Sequence, residues 1–255
     1  MPFKPSPPAT LASAFPTADA PRTGTLDGLD IRYQAGGTAF EAAHGDEIAA
    51  HWAERRQDNP TLFNGKVLVF GDVAMGEHRL AAKAFEISYA GFLAFLDLHG
   101  PESGLVNLFG DCMVIGSDGG LLLGRMGRHN NEPGVVKCAG GTPDHDDIDA
   151  DGRVDIIASA ARELGEEMGL AAEEAVIGTD LWAYWGHPYL AIGVPFRFPE
   201  PVAHLQARAR THIANEKTPE LSDALTVTQD DLSALADSPA HTRALVRHFL
   251  GLDTS

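Results

Sequence analysis

The sequence predicts an α/β (α+β) protein, and three observations carry that prediction. Apolar runs of strand length alternate with segments of helical spacing from about residue 39 to residue 250. Asn59-Pro60 and Ser117-Asp118-Gly119-Gly120 stand between such runs as turn signals. A hydrophobic content of 44% with 22% charged residues belongs to a globular chain able to bury a core.

Taken in order, residues 1–24 are rich in Pro, Ala, Ser and Thr and read as a loosely packed arm. Residues 25–104 form an accessory α/β region. Within it, 39–57 has helical spacing, with Phe40, Ile48, Ala49, Trp52 and Ala53 as packing positions. Residues 66–70 and 80–87 read as strands, 71–77 as the turn between them, and 89–98 as a short helix. The third part, 105–255, opens with a hairpin of 109–115 and 121–125. A strand at 135–138 leads into Gly140-Gly141. Residues 155–168 read as a helix whose apolar stripe is Ile156, Ile157, Ala160 and Leu164. Strands follow at 181–185 and 190–198, a helix at 202–213, a strand at 224–227, and helical segments at 230–236 and 241–250.

Charge and cysteine content bound the function. A formal net charge of −17 argues against a nucleic-acid backbone as the main partner. It suits an anionic phosphate substrate only if bound cations reverse the local field. Cys112 and Cys138 make no disulfide framework and read as buried thiols. No apolar run reaches membrane-spanning length, and the N-terminal segment lacks the apolar core of a signal peptide, so the expected location is cytoplasmic, away from any membrane.

The stretch Arg162-Glu163-Leu164-Gly165-Glu166-Glu167-Met168-Gly169-Leu170 is the most specific in the chain. Glu163, Glu166 and Glu167 fall at i, i+3 and i+4, which places them together on a helix. Like charges at that spacing repel, and a hard divalent cation removes the repulsion by taking carboxylate oxygens. Arg162 can pair with Glu166 one turn on, and Gly169 provides a C-terminal stop.

This pattern resembles the second half of the Nudix box, Arg-Glu-U-x-Glu-Glu-x-Gly-U with U aliphatic. The element order matches the Nudix fold, a mixed β-sheet sandwiched between helices, here with an N-terminal α/β extension. The first half of the consensus, Gly-x5-Glu-x7 ending at the Arg, is stretched. Arg162 follows Gly141 by 21 positions, seven more than the consensus, with the insertion falling in 142–152. Counted back from Arg162, the consensus Glu falls at Val154, with Asp155 the nearest acid.

The resemblance implies metal-dependent hydrolysis of the pyrophosphate bond in a nucleoside diphosphate linked to another moiety. Glu163, Glu166, Glu167 and the Gly140 carbonyl would hold Mg²⁺ or Mn²⁺, and Arg162 would orient the carboxylates. Glu163 is one candidate to take a proton from the attacking water. Outside the box, Glu216, Glu220 and Asp223 are considered, with Glu220 preferred. Arg125, Arg128 and Lys137 are candidates for binding phosphates. Asp144, His145, Asp146 and Asp147 could hold a further cation or simply form a polar loop. Trp182, Tyr184 and Trp185 could stack on a base, though core packing is favoured.

Three segments resemble the branch that hydrolyses UDP-glucose and UDP-galactose: Trp52-Ala-Glu-Arg-Arg-Gln-Asp-Asn-Pro-Thr-Leu-Phe63, Ser88-Tyr89-Ala90-Gly91-Phe92-Leu93 and Gly140-Gly141-Thr142-Pro143-Asp144. They imply a UDP-sugar as substrate, giving UMP and sugar 1-phosphate. ADP-ribose, NADH or a dinucleotide is the alternative substrate, and a non-catalytic nucleotide-binding module the alternative role. The expected partner is a small nucleotide, and a homodimer is compatible with the reading.

Overall fold

The computed structural model describes residues 15–17, 19–128 and 132–252. Strands β1 (Arg22–Leu26) and β2 (Gly28–Tyr33) come first, then helices α1 (Ala39–Ala43) and α2 (Gly45–Asp58). Strands β3 (Lys66–Met75) and β4 (Arg79–Ser88) precede helix α3 (Tyr89–Ala94), which runs on as a π turn, Phe95–His99. Strands β5 (Asn107–Ile115), β6 (Leu121–Met126), β7 (Val136–Lys137) and β8 (Ala139–Gly141) lead to helix α4 (Ile156–Met168). Strands β9 (Val176–Ile177), β10 (Leu181–Gly186) and β11 (Tyr189–Arg197), helix α5 (Val202–Asn215), strand β12 (Leu221–Val227) and helix α6 (Ala240–Phe249) complete the described chain.

The larger sheet has the strand order β1-β10-β11-β5-β6-β12, with short β7, β8 and β9 paired to β6, β5 and β11. Among the described residues only its β11–β5 pairing is parallel, so the sheet is mixed. Side chains alternate across β5, as the pleat requires. Leu108, Cys112 and Val114 pack with Ile156, Ala160 and Leu164 of α4 and Leu205 of α5. Phe109 and Met113 face the opposite way, toward Leu245 and Val246 of α6. The sheet is thus held between helices on both faces, which agrees with the fold class expected from the sequence.

The smaller sheet, β2-β4-β3, belongs to the accessory region. Its strand β3 is buried on both faces. Leu68 and Phe70 join the core shared with α4, and Val69 joins Phe40, Ile48, Phe92 and Leu93 beneath α2 and α3. Two backbone hydrogen bonds between Phe70 and Val106, and one from Leu68 to Pro143, fasten this sheet to the start of β5 and to the 142–152 insertion. The accessory region therefore packs directly against the start of β5 and the segment that follows Gly141.

Several expectations change. The end of the arm is structured: Phe15 packs its ring edge on Trp185, and Arg22–Leu26 pairs with β10. Residues 1–14 and 18 lie outside the described set. The turn expected at 71–77 is mostly strand, because β3 passes through an irregularity around Asp72 (φ 51°) and continues to Met75. The expected 39–57 helix breaks at His44. Both thiols are buried, as expected: Cys112 donates to the Ala160 carbonyl, and Cys138 lies against Met113 Sδ. Among the described residues, no helix is long and apolar enough to cross a membrane.

Candidate active site

Helix α4 is specified locally at both ends. The Asp155 carboxylate caps the first turn by accepting from Ile157 and Ala158 N–H, and Gly169 ends the helix in the left-handed conformation (φ 62°). Asp155 is thereby committed to the cap and is no substitute ligand. Val154 is buried in the core and donates its N–H to Ile31 of β2.

The residue that takes up the Arg162 guanidinium is Asp147, inside the insertion. Arg162 donates to Asp147 Oδ2 at 3.2 Å, to Glu166 Oε2 at 3.1 Å, and lies 2.8 Å from Glu163 Oε1. Asp147 Oδ2 also accepts from Ser159 Oγ and from the Asp144 N–H. It is buried, and these donors compensate its charge. Counted forward from Gly141, Asp147 is the sixth residue, the place the consensus gives to Glu. The extra residues therefore follow the acidic position, and the count back from Arg162 to Val154 misplaces it.

Glu163 and Glu167 sit beside the Gly140-Gly141 strand. Gly140 donates its N–H to Glu167 Oε2 at 3.2 Å. A β-carbon on Gly141 would lie 2.8 Å from Glu163 Oε1, and one on Gly140, whose φ is 153°, would lie 2.2 Å from the Gly110 carbonyl. Gly140 is therefore required by its close approach to the β5 backbone, whereas a β-carbon at Gly141 would press only on the end of the Glu163 side chain.

These residues line a cavity of about 800 Å³. Gly140, Gly141, Glu163, Glu167, Lys137 and Glu220 supply its charged and backbone-polar wall. Leu62, Phe63, Tyr89, Phe92, Leu93 and Leu96 of the accessory region supply an apolar and aromatic wall. Of the three carboxylates weighed as an outside base, Glu220 alone lines the cavity. Asp223 is held by Arg210, and Glu216 lies near His212.

Other sequence candidates lie elsewhere. Glu166 does not line the cavity, and its half-exposed carboxylate rests on Arg162. Arg125 donates to the Gly134 carbonyl and lies 3.4 Å from Asp237, and Arg128 is exposed outside the cavity lining. Lys137 is the phosphate-binding candidate that the cavity does contain. Trp182, Tyr184 and Trp185 are buried in the core and do not line it. Asp144 and Asp147 cap one turn of 3-10 helix and His145 is exposed, so the acidic loop does not converge as a second cation site.

Sequence reading missed Asp111. It is 3% exposed, stands opposite Gly140 in the β5–β8 pairing, and its Oδ2 has no hydrogen-bond partner among the described residues. Burial pushes its carboxyl up to about 7, against the pull of Lys137.

Burial, with neighbouring carboxylates adding, pushes the carboxyls of this wall upward. Burial raises Glu163, opposed by Arg162 and reinforced by Glu166 and Glu220. Glu167 is pushed up to about 8, chiefly by burial, against Lys137 and with Glu220 and Glu163 adding. An all-oxygen set with excess negative charge fits a hard divalent cation, which would stabilise the ionised forms. The native protein without metal holds a proton on Glu167 that the unfolded chain releases above 4.5. That contribution to stability is complete below 4.5 and is lost as pH rises through about 8. Chelator-treated protein should therefore melt at falling temperature across this window, and Glu167→Gln should flatten the fall. Equal slopes for the two proteins would refute the assignment.

No family model matches the sequence, and no curated protein matches it. Among solved structures, the chain is similar to the MutT protein from Methanosarcina mazei Go1, at 17% identity over 56% of this chain and 92% of that one, with a TM-score of 0.36. A Nudix hydrolase from M. smegmatis, RenU, matches at 16% identity over 55% and 81%, also at 0.36. The Nudix domain of Shewanella oneidensis NrtR, complexed with ADP ribose, matches at 13% over 66% and 100%, again at 0.36. Similarity at this level transfers neither a substrate nor a site residue.

Proposed function

We propose that this chain is a metal-dependent Nudix-type hydrolase that cleaves the pyrophosphate of a nucleoside diphosphate linked to a sugar, with a UDP-sugar as the preferred substrate. The observation that carries the chemistry is the placement of Glu163 and Glu167 beside Gly140-Gly141 in the cavity wall. Glu163 and Glu167, with the Gly140 carbonyl, would hold Mg²⁺ or Mn²⁺, and Glu166 would join on leaving Arg162. When bound, the cation neutralises phosphate oxygens and lowers the pKa of a coordinated water.

The remaining work falls to side chains. Lys137 supplies a cation to a phosphate oxygen within the same wall. Water adds to one phosphorus, the anhydride P–O bond breaks, and the Glu220 carboxylate accepts the water proton. Glu220 suits this role because it lines the cavity and interacts electrostatically with both Glu163 and Glu167. Asp147 and Arg162 hold α4 in register with the insertion and position the carboxylates without touching substrate.

The aromatic wall supports a base or sugar contact. Phe63 is 83% exposed although it lines the cavity. Base stacking on an aromatic ring contributes about 1–3 kcal/mol. Phe63→Ala should therefore raise KM roughly 5- to 100-fold with kcat little changed, at nearly constant stability. An unchanged KM for every substrate removes Phe63 from the binding surface.

The substrate is tested with a Mg²⁺-dependent panel of UDP-glucose, UDP-galactose, ADP-ribose, NADH and a dinucleoside polyphosphate. Release of UMP with sugar 1-phosphate, at the highest kcat/KM in the panel, is the expected result. Hydrolysis of ADP-ribose or NADH with inert UDP-sugars would overturn the substrate and keep the chemistry. Inertness toward the whole panel would favour a nucleotide-binding module.

A further inference from the structure

Away from the cavity carboxylates, two imidazoles converge on one carboxylate oxygen. His44 Nδ1 lies 3.2 Å from Glu47 Oε2, and His99 Nε2 lies 2.9 Å from the same atom. The two rings are 4.3 Å apart between centroids, and Phe40 packs 4.9 Å from each of them. All three donor atoms lie within 4.8 Å of one another.

We propose that His44, Glu47 and His99 form a structural site for a borderline transition cation, with Zn²⁺ as the probe. Two imidazole nitrogens and one carboxylate oxygen suit Zn²⁺ and disfavour Mg²⁺, which takes oxygen donors. Tetrahedral bonds of about 2.0–2.1 Å put neighbouring donors about 3.3 Å apart, close to the two observed imidazole–carboxylate spacings of 3.2 and 2.9 Å. Glu47 is half exposed, which leaves a face for water as the fourth ligand.

A simple His–Glu ion-pair cluster explains the arrangement less well. His44 occupies the N-cap of α2 yet caps no N–H with its side chain. Asp, Asn, Ser or Thr at that place would stabilise the helix by capping a first-turn N–H. An exposed ion pair returns less than that, and two imidazoles sharing one oxygen must each give up rotamer freedom. A bound cation accounts for both the residue choice and the convergence.

The position gives the site a purpose. His44 and Glu47 stand at the start of α2, whose Arg55 and C-cap residue Asn59 line the cavity. His99 ends the π turn that carries Leu96 and Asp97 to the same cavity. The paired His51 and Asp97, 2.9 Å apart, join these two segments again. A cation at His44, Glu47 and His99 would fix the accessory wall without touching substrate.

The test is calorimetric titration of the chelator-treated full chain with Zn²⁺, in millimolar Mg²⁺ to compete at the α4 carboxylates. The expected result is one Zn²⁺ per chain and a higher melting temperature. Affinity should fall more than roughly 100-fold in His44→Ala/His99→Ala, more than the loss of a residue that only orients a ligand would cause. Glu163→Gln/Glu167→Gln should keep the site. If the double alanine variant does not fold, His99→Cys should retain binding and His99→Gln should lose it. X-ray absorption at the Zn edge of the unaltered protein should show scattering from two imidazoles. Absence of Zn²⁺ binding, binding indifferent to His44 and His99, or a spectrum without imidazole overturns the proposal.

Discussion

Glu167→Gln should abolish most metal-dependent turnover while leaving the fold intact. Glu167 is 4% exposed and lies against Gly140. Glutamine keeps the shape and an oxygen that can accept the Gly140 N–H, but it cannot carry the charge that a divalent cation requires. Electrostatic stabilisation by a held cation is worth several kcal/mol, so kcat should fall by about 10²–10³-fold. Stability should move the other way at alkaline pH. Burial already makes the ionised Glu167 costly, with its carboxyl pushed up to about 8. A neutral amide removes that cost above this pH, so the variant should melt at or above the temperature of the unaltered chain there. Steady-state kinetics with a thermal melt on one preparation checks both halves. A variant that turns over normally removes Glu167 from the site.

Gly140→Ala should damage stability and activity together. The backbone at Gly140 adopts φ 153°, and a β-carbon there would lie 2.2 Å from the Gly110 carbonyl oxygen. That atom is backbone of β5, at the middle of the larger sheet, so no side-chain rotation relieves the contact. The β5–β8 pairing of Asp111 with Gly140 must open instead. Such strain costs about 2–4 kcal/mol, which lowers the melting temperature of a chain this size by roughly 4–16 °C. The same displacement breaks the hydrogen bond from Gly140 to Glu167 and moves the carbonyl proposed as a ligand. Gly165→Ala serves as a control, since a β-carbon at that half-buried helical position meets nothing within 4 Å. Equal melting temperatures for the two variants would show that the strand can yield.

What the sequence reveals depends on how local the cause is. Helix α4 is legible throughout, because its N-cap, apolar stripe and terminal glycine lie within fifteen residues of one another. The hairpin of β5 and β6 is legible for the same reason. Strand β1 is not, since Arg22–Leu26 is polar and short and becomes a strand only by pairing with β10 far along the chain. Among the cations, nearness in sequence to Gly140 suggests Arg125, Arg128 and Lys137 equally. Strand pairing then separates them: Lys137 lines the cavity, while Arg125 turns to Gly134 and Asp237.

The insertion shows a second limit. Against the Nudix consensus that the box resembles, seven residues are extra, but spacing does not say on which side of the acidic position they fall. Only the ion pair between Asp147 and Arg162 resolves it. The accessory region shows a third. Its aromatic residues read as core, and Phe92 and Leu93 are buried in it, yet both also line the cavity beside exposed Phe63. The convergence of His44, Glu47 and His99 could not be read at all, because His99 stands 52 positions from Glu47.

The most direct test is anomalous diffraction from crystals containing Mn²⁺ and a non-hydrolysable UDP-sugar analogue. The expected result is a peak about 2.0–2.4 Å from oxygens of Glu163 and Glu167, with the diphosphate next to it and Lys137 in contact. A diphosphate bound in the cavity with no metal peak at these carboxylates, in crystals of protein that turns over in solution, would contradict the account.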